Sequence, residues 1–311
     1  MHPLDTAYFP EVFDSSMLAT YKSCPQLFWK IYIKHWKSRT EKVDLHAGKA
    51  FARGMEVARR AFYEQDLPHE HAYAMGLQAL TTAYGDFECP ADNPKSLERM
   101  LSALAYAFDN WPFNHRTGYP ILLPGGARAI EVSFAHPLPV DHPITGQPLL
   151  YVGRGDMVCN YAGDNYIEDD KTTKQLGPTW PNQWPLRSQF MGYTWGFRNN
   201  GFRVAGCLVR GVSILKTKHD NAEAICNFSP YEIDRWYQEL IEWLIDIKRC
   251  WHEKRWKYNF DSACASYGGC GFREVCKSEN EAPWLRQWFE QRYWNPVTRE
   301  ETILNEAHNV P

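Results

Sequence analysis

Apolar residues recur along the first third of the chain at the three- and four-residue spacing of a helix. In residues 45–64, Phe51, Met55, Ala58 and Phe62 fall at i, i+4, i+7 and i+11 and predict one amphipathic helix. Residues 95–111 repeat the pattern with Leu97, Met100, Leu101, Leu104 and Phe108. Residues 14–36 place Ser and Asp cap candidates ahead of a mixed apolar run. There Cys24-Pro25 predicts an interruption, with a helix ending before the pair or restarting with Pro25 in its first turn.

The pattern changes near residue 120. Pro124-Gly125-Gly126 breaks the chain, 129–134 (AIEVSF) reads as a strand, and a Pro-rich loop is expected to run to Gln147. Residues 150–171, LYVGRGDMVCNYAGDNYIEDDK, predict two short strands joined by a tight turn at Ala162-Gly163-Asp164-Asn165. The stretch 172–185, with three Pro and two Trp, reads as a loop. Residues 186–199 predict a helix with Phe190, Tyr193, Thr194 and Phe197 on one face, closed by Asn200-Gly201. A long strand is expected over 202–216. Ser229-Pro230-Tyr231-Glu232 is a capping box with Pro at the first helical position, followed by an apolar stripe from Ile233 to Ile247. A cysteine-bearing segment at 264–276, a last helix near 283–293 and a polar tail complete the chain. Helices, then strand–hairpin–helix–strand, then helices predict an α/β fold with a small mixed sheet flanked by helices.

Composition changes this picture little. The 311 residues, 44% hydrophobic and 23% charged, suit one large domain or two small ones. A net charge of −3 excludes a global basic field but not a local basic channel. No run of 18 apolar residues exists, and the start MHPLDTAYF lacks a basic region followed by an apolar one, so a cytoplasmic protein off the membrane is expected. Nine cysteines in such a chain are not expected to form disulfides.

The chemistry concentrates in the hairpin. Side chains alternate along a strand, so Asp169 and Lys171 point one way while Glu168 and Asp170 point the other. The hairpin can bring Asp156 beside Asp169 and Lys171. Two carboxylates and an amine suit divalent-metal phosphodiester hydrolysis. On composition alone, a surface hairpin with solvated charges is the commoner outcome, and both readings stay open. Cys264, Cys270 and Cys276, with five residues in each gap and Gly268-Gly269 and Gly271 between them, can fold thiolates around a centre, with Cys24 as fourth ligand. Four thiolates suit [4Fe–4S] or zinc.

Gly153-Arg154-Gly155-Asp156, Asp169-Asp170-Lys171-Thr172-Thr173 and Gln189-Phe190-Met191-Gly192-Tyr193 together resemble the PD-(D/E)XK nuclease superfamily. Within it they are similar to the RecB-like branch of phage exonucleases, CRISPR-associated adaptation nucleases and AddB-type nuclease domains. The resemblance covers roughly residues 15–280. It implies a restriction-endonuclease-like core over 116–225, an N-terminal helical region over 1–115 with one cluster cysteine, and a C-terminal helical region over 226–311 with three. It implies catalytic roles for Glu131, Asp156, Asp169, Lys171, Gln189 and Tyr193. Mg²⁺ or Mn²⁺ would be held by Asp156, Asp169 and the backbone carbonyl of Asp170. The helical G-x-x-x-H motif of relatives aligns with Gly48-Lys49-Ala50-Phe51-Ala52, so the histidine is absent, and Glu56 or a water is expected in its place, with His46 a weaker substitute. One N-terminal and three C-terminal cysteines are the superfamily's iron–sulfur pattern, which favours [4Fe–4S] over zinc at Cys24, Cys264, Cys270 and Cys276.

The implied function is a metal-dependent deoxyribonuclease, an exonuclease of phage type in recombination, repair or end processing. The alternatives are a CRISPR-adaptation nuclease trimming spacer precursors and a nuclease-dead iron–sulfur DNA-binding subunit. The implied partners are DNA, as single strands or duplex ends, and a recombination or single-strand-binding protein, in the cytoplasm of a bacterial or phage-infected cell. Trp180 and Trp184 are expected either to stack on bases or to cover the core. Arg187, with Arg154, Lys174 and Arg198, is a candidate for phosphate contact.

Overall fold

A computed structural model describes residues 8–113, 118–260, 262–265 and 269–303. Gly268 of the expected glycine pair, the opening segment 1–7 and the tail 304–311 lie outside these residues.

Strand β1 (Val12–Phe13) leads into helix α1 (Ser15–Ser23), which Asp14 caps by accepting from the Met17 N–H at 2.8 Å. Cys24 ends α1 in extended backbone, and Pro25 opens the short α2 (Pro25–Phe28) as expected. A π-helical turn (Trp29–Ile33) and β2 (Trp36–Ser38) follow. Next come α3 (Val43–Tyr63), α4 (His69–Tyr84) and α5 (Leu97–Asn110). Helix α4 has no counterpart in the sequence reading, because half of its buried stripe, Ala72 and Gly76 beside Leu80 and Tyr84, is small residues.

The β-rich segment contains β3 (Tyr119–Pro120), β4 (Ile130–Asp141), β5 (Pro148–Tyr161) and β6 (Asp164–Thr173). After a 3₁₀ turn (Pro181–Gln183) come α6 (Ser188–Asn199), β7 (Gly206–Ile214) and β8 (His219–Asn227). The chain continues through α7 (Pro230–Glu253), α8 (Ser262–Ala265), α9 (Arg273–Lys277), α10 (Ala282–Trp288), β9 (Phe289–Asn295) and β10 (Glu300–Ile303).

Three expectations need correction. The Pro-rich stretch after Phe134 is the second half of β4, not a loop: Leu138 and Val140 are buried while Pro137 and Pro139 face outward. Among the described residues β4 pairs with β5 alone, and an edge strand tolerates residues that cannot donate a hydrogen bond. The expected strand over 202–216 is shorter, and β8, too polar to be read as a strand, pairs antiparallel with it. The last helix stops at Trp288, and 289–295 instead pairs antiparallel with β2 and β10.

The elements gather in two units. The first holds the chain up to Thr40, Ala135–Gly153 and the chain from Asp234 onward. The second holds Glu41–Phe134 and Arg154–Ile233. In the first unit, β1 runs parallel to the start of β5, with Val12 beside Leu150. The Tyr21 hydroxyl donates to Asp246 at 2.6 Å, joining α1 to α7. Phe272, Val275 and Phe289 form a small core with Leu27, Trp36, Cys270 and Cys276 packed against it.

The second unit is a mixed sheet flanked by helices. Strand β6 is antiparallel to β5 and parallel to β7, which is antiparallel to β8. The β5–β6 turn places Ala162 at φ 53° and Gly163 at φ 97°, as a two-residue hairpin turn of matching twist requires. On one face, Val212 and Ile214 of β7 join a core built from α3, α4 and α5. On the other lies α6, whose Phe190 carbonyl accepts from the Cys207 thiol of β7 at 3.6 Å. The capping box at Ser229 forms, with the Ser229 N–H donating to Glu232 at 2.8 Å. No helix among the described residues is long and apolar enough to cross a membrane.

Helix α6 sits close on β4 because residue 196 is glycine: a Cβ there would meet the buried Phe134 ring at 2.3 Å. Gly196→Ala is therefore expected to destabilise the chain by about 1–3 kcal/mol despite the better helix propensity of alanine. Urea titration checks this; an unchanged or raised midpoint contradicts it.

Candidate active site

Strand β6 presents Glu168, Asp169, Asp170 and Lys171 in succession, and its pleat sorts them between two faces. The even positions face α3. Glu168 is fully buried and ion-paired to Arg59 of α3 and, at 3.0 Å, to Arg210 of β7. Arg59 also holds the Asp170 carboxylate at 2.7 Å. Arg210 reaches Glu223 of β8 at 2.8 Å. Burial pulls the Glu168 carboxyl up against the two guanidinium groups that pull it down. Arg59 was missed in the sequence reading. Its signal was position: it stands four residues after Met55 and three before Phe62, inside the apolar stripe of α3.

The odd positions face α6. Lys171 Nζ lies 2.5 Å from Asp169 Oδ2 and 5.8 Å from the centre of the Phe190 ring. Gln189 Nε2 donates to Asp169 Oδ1 at 3.4 Å and to the Tyr193 hydroxyl at 3.1 Å. Asp169, Lys171, Gln189 and Tyr193 thus form one connected group, and Gln189 and Tyr193 share a helix face, as their spacing requires. The paired register ends with Met157 beside Glu168, so Asp156 follows beside Asp169. Asp156 Oδ2 accepts from the Asp170 backbone N–H at 3.0 Å.

Glu131 completes the cluster from β4. Its backbone lies at φ 54°, the left-handed region, which costs a non-glycine residue about 1–3 kcal/mol and tends to persist where the surroundings over-determine it. Ile130 beside it enters the core with Met157 and Leu208, while the Glu131 carboxylate meets Arg154 Nε at 2.7 Å. Arg154, a candidate for phosphate contact, is therefore committed to a carboxylate.

Three carboxylates, Glu131, Asp156 and Asp169, share this region with two cations, Lys171 and Arg154. Asp156 carries the excess. Burial, then Asp169, Asp170 and Glu131, push its carboxyl well above the usual carboxylate range. Burial alone would lower the Lys171 ammonium, but Asp169, Asp156 and Asp170 outweigh it and raise its pKa. Clustered carboxylate oxygens are the donor type that Mg²⁺ and Mn²⁺ take, and the electrostatic load on Asp156 is what a divalent cation relieves. Asp156 and Asp169 fit such an ion. The Asp170 side chain is turned to Arg59.

The other candidates have partners of their own. Glu56 is held by Arg53 at 2.8 Å and by Arg60 at 3.1 Å, and these two guanidinium groups, against burial, keep its carboxyl low. His46 stacks on Phe87 at 4.0 Å and contacts Glu41 and the Tyr84 carbonyl. Trp180 and Trp184 are buried against each other. Trp180 fills the space over Gly211, where a Cβ would approach its ring to 2.4 Å, and Trp184 packs on Phe190. Their rings cover the core and are not presented to a base. Arg187 is exposed, its guanidinium 5.9 Å from the Trp184 ring.

In the first unit, Cys24, Cys264, Cys270 and Cys276 line one cavity of about 230 Å³. Short local bonds bring them there: the Cys270 N–H donates to the Cys264 carbonyl at 3.0 Å, and the Cys276 N–H to the Phe272 carbonyl at 2.8 Å. None of the four is in a disulfide. Burial pushes the Cys276 thiol up to about 11, with Lys30 lowering it and Cys270 and Cys24 among the groups raising it. Lys30, buried and paired with Glu281 at 2.6 Å, also lines the cavity and places a cation beside the thiols. Four soft donors, an apolar wall with Leu27 and Phe272, and a nearby ammonium fit an iron–sulfur or zinc centre. Among the described residues, no three His, Cys, Asp or Glu side chains already stand in an ion-holding arrangement.

No family model matches the chain, and no curated protein matches it. Among solved structures, the crystal structure of SSO0001 is similar at a TM-score of 0.27 and 15% identity, over 65% of this chain and 77% of its own, a likeness too slight to carry an argument.

The raised Asp156 pKa has a sign that can be measured. An unfolded chain releases this proton in the usual carboxylate range, whereas the folded ion-free protein retains it to higher pH, so stability falls as pH rises. Asp156→Asn removes that dependence. In the presence of a chelator it is expected to raise the urea midpoint, and more at about pH 8 than at about pH 5. Each tenfold in proton affinity corresponds to about 1.4 kcal/mol. Mn²⁺ is expected to stabilise the wild type and not the variant; the reverse pH trend contradicts the assignment.

Proposed function

We propose that the second unit is a metal-dependent deoxyribonuclease of the PD-(D/E)XK kind, with a restriction-endonuclease-like core, acting as an exonuclease on DNA in recombination, repair or end processing. The observation that carries this reading is the convergence of Glu131, Asp156, Asp169, Lys171 and Gln189, drawn from three strands and a helix, into one contacting or electrostatically coupled group. These are the residues that the motif resemblance assigns.

Asp156 and Asp169 would hold Mg²⁺ or Mn²⁺, which when bound supplies phosphate neutralisation and an activated water. Lys171 stays protonated, because its carboxylate neighbours raise its pKa, so it acts through charge and as a donor at Nζ rather than as a base. Gln189 fixes the Asp169 carboxylate through Oδ1, which leaves Oδ2 to Lys171 or to an ion. Tyr193 orients Gln189 through its hydroxyl. Arg59 holds Asp170, whose amide in turn holds Asp156. The four thiols of the first unit are read as ligands of a [4Fe–4S] cluster, a structural centre.

The test is cleavage of end-labelled single-stranded and duplex DNA by anaerobically purified protein. Products are expected with Mg²⁺ or Mn²⁺ and none with a chelator. Lys171→Ala and Asp169→Ala are each expected to lower the rate by about 10²–10³-fold. Full activity in either variant overturns the catalytic assignment, and wild-type DNA binding without cleavage points to a binding subunit. The cluster reading expects broad visible absorbance and bound iron, both abolished in Cys270→Ser; bound zinc with a colourless protein overturns it.

A further inference from the structure

A second cleft in the first unit has a different chemistry. Its volume is about 830 Å³, and three indoles, Trp29, Trp251 and Trp256, line it. Every lysine and arginine on its wall, Lys34, Lys254 and Arg255, is unopposed there by an acidic lining residue. All three indoles are half-buried, so each keeps an accessible edge or face, and Lys254 and Arg255 are exposed. This cationic surface is local, since the chain as a whole carries a net charge of −3.

The C-terminus of α7 builds half of the cleft. The Arg255 N–H donates to the Cys250 carbonyl at 3.1 Å and the Lys254 N–H to the Trp251 carbonyl at 3.2 Å, the paired bonds of a Schellman ending. That ending needs a left-handed residue, and Lys254 supplies it at φ 52° where glycine is the usual occupant. The other half comes from the π-helical turn, where the Lys34 ammonium lies 5.6 Å from the centre of the Trp29 ring. Trp256 is fixed from behind by stacking on Phe28 at 5.8 Å, and Trp251 by an edge contact with Phe9 at 5.4 Å.

We propose that this cleft binds single-stranded nucleic acid, with unpaired bases stacked on Trp29, Trp251 and Trp256 and phosphates held by Lys34, Lys254 and Arg255. Aromatic rings interleaved with cations are what a strand with exposed bases and a charged backbone requires. A duplex hides the base faces that these indoles would meet. The cleft shares no residue with the carboxylate cluster of the second unit, and nothing in its chemistry depends on the nuclease reading.

Dye-labelled oligothymidylate, titrated into the full-length protein in chelator by fluorescence anisotropy, tests this. The wild type is expected to bind it in preference to a duplex of equal length. Lys254→Gly removes a cation while giving the left-handed position the residue it favours, so the fold is retained or stabilised. Combined with Arg255→Gln, it is expected to weaken binding about tenfold or more and to reduce the slope of log K against log salt by about 0.7 for each phosphate no longer neutralised. Trp29→Ala is expected to weaken binding about tenfold at nearly unchanged salt slope. Arg235→Gln, which removes an exposed cation that does not line the cleft, is expected to bind like wild type. Wild-type affinity in the Lys254→Gly/Arg255→Gln protein overturns the proposal. So does an equal loss of binding in Arg235→Gln, or adsorption to anionic lipid vesicles without oligonucleotide binding. Failure of DNA cleavage with oligonucleotide binding intact would overturn the nuclease reading and leave this one standing.

Discussion

Glu168 lies in the interior of a mixed sheet with no exposed surface, and two guanidinium groups meet it there. A buried carboxylate without such partners is costly, and removing one member of a buried pair typically costs about 3–5 kcal/mol because the other charge is left behind. Strand β6 can therefore run Glu-Asp-Asp-Lys through the middle of the sheet only because Arg59 and Arg210 come in from α3 and β7. The same pairing sets the chemistry on the other face. With Glu168 and Asp170 anchored towards α3, the pleat turns Asp169 and Lys171 towards α6, and the anchored Asp170 presents its amide to Asp156.

The two faces of the strand solve opposite electrostatic problems. Towards α3, carboxylates and guanidinium groups are in contact and the ionic network extends to Glu223. Towards α6, Glu131, Asp156 and Asp169 outnumber Arg154 and Lys171, and Asp156 bears the mismatch as a raised pKa. A left-handed Glu131 adds backbone strain at the same place. Strain and unbalanced charge held together by a rigid scaffold are features of sites kept for chemistry rather than stability. The first unit carries a donor set of the complementary kind, four soft thiols rather than hard oxygens, and the two donor types suit different metals.

Local signals were strong for much of the fold. The stripes of α3 and α5, the break at Cys24-Pro25, the hairpin turn at Ala162-Gly163 and the capping box at Ser229 each depend on residues within one or two turns of one another, and each forms. The alternation of Asp169 and Lys171 against Glu168 and Asp170 follows from strand geometry alone. What local pattern missed were elements whose burial is decided by a distant partner. Examples are α4 with its half-small stripe, the proline-bearing edge half of β4, polar β8, and β9, which is a strand because β2 and β10 lie beside it.

The chain by itself determined which side chains of β6 share a face, that Gln189 and Tyr193 lie on one side of a helix, and which cysteines were candidates for a centre, because these follow from backbone period and spacing. Only the tertiary structure decided which charges are neutralised. It assigned Arg59 to Asp170 and Glu168, Arg154 to Glu131, and Glu56 to Arg53 and Arg60, and it buried Trp180 and Trp184 in the core. It also brought Trp29 and Lys34 against Trp251, Lys254 and Arg255 across more than two hundred residues of chain. Ion pairing and burial depend on distances between segments remote in sequence, and no periodicity along the chain encodes them.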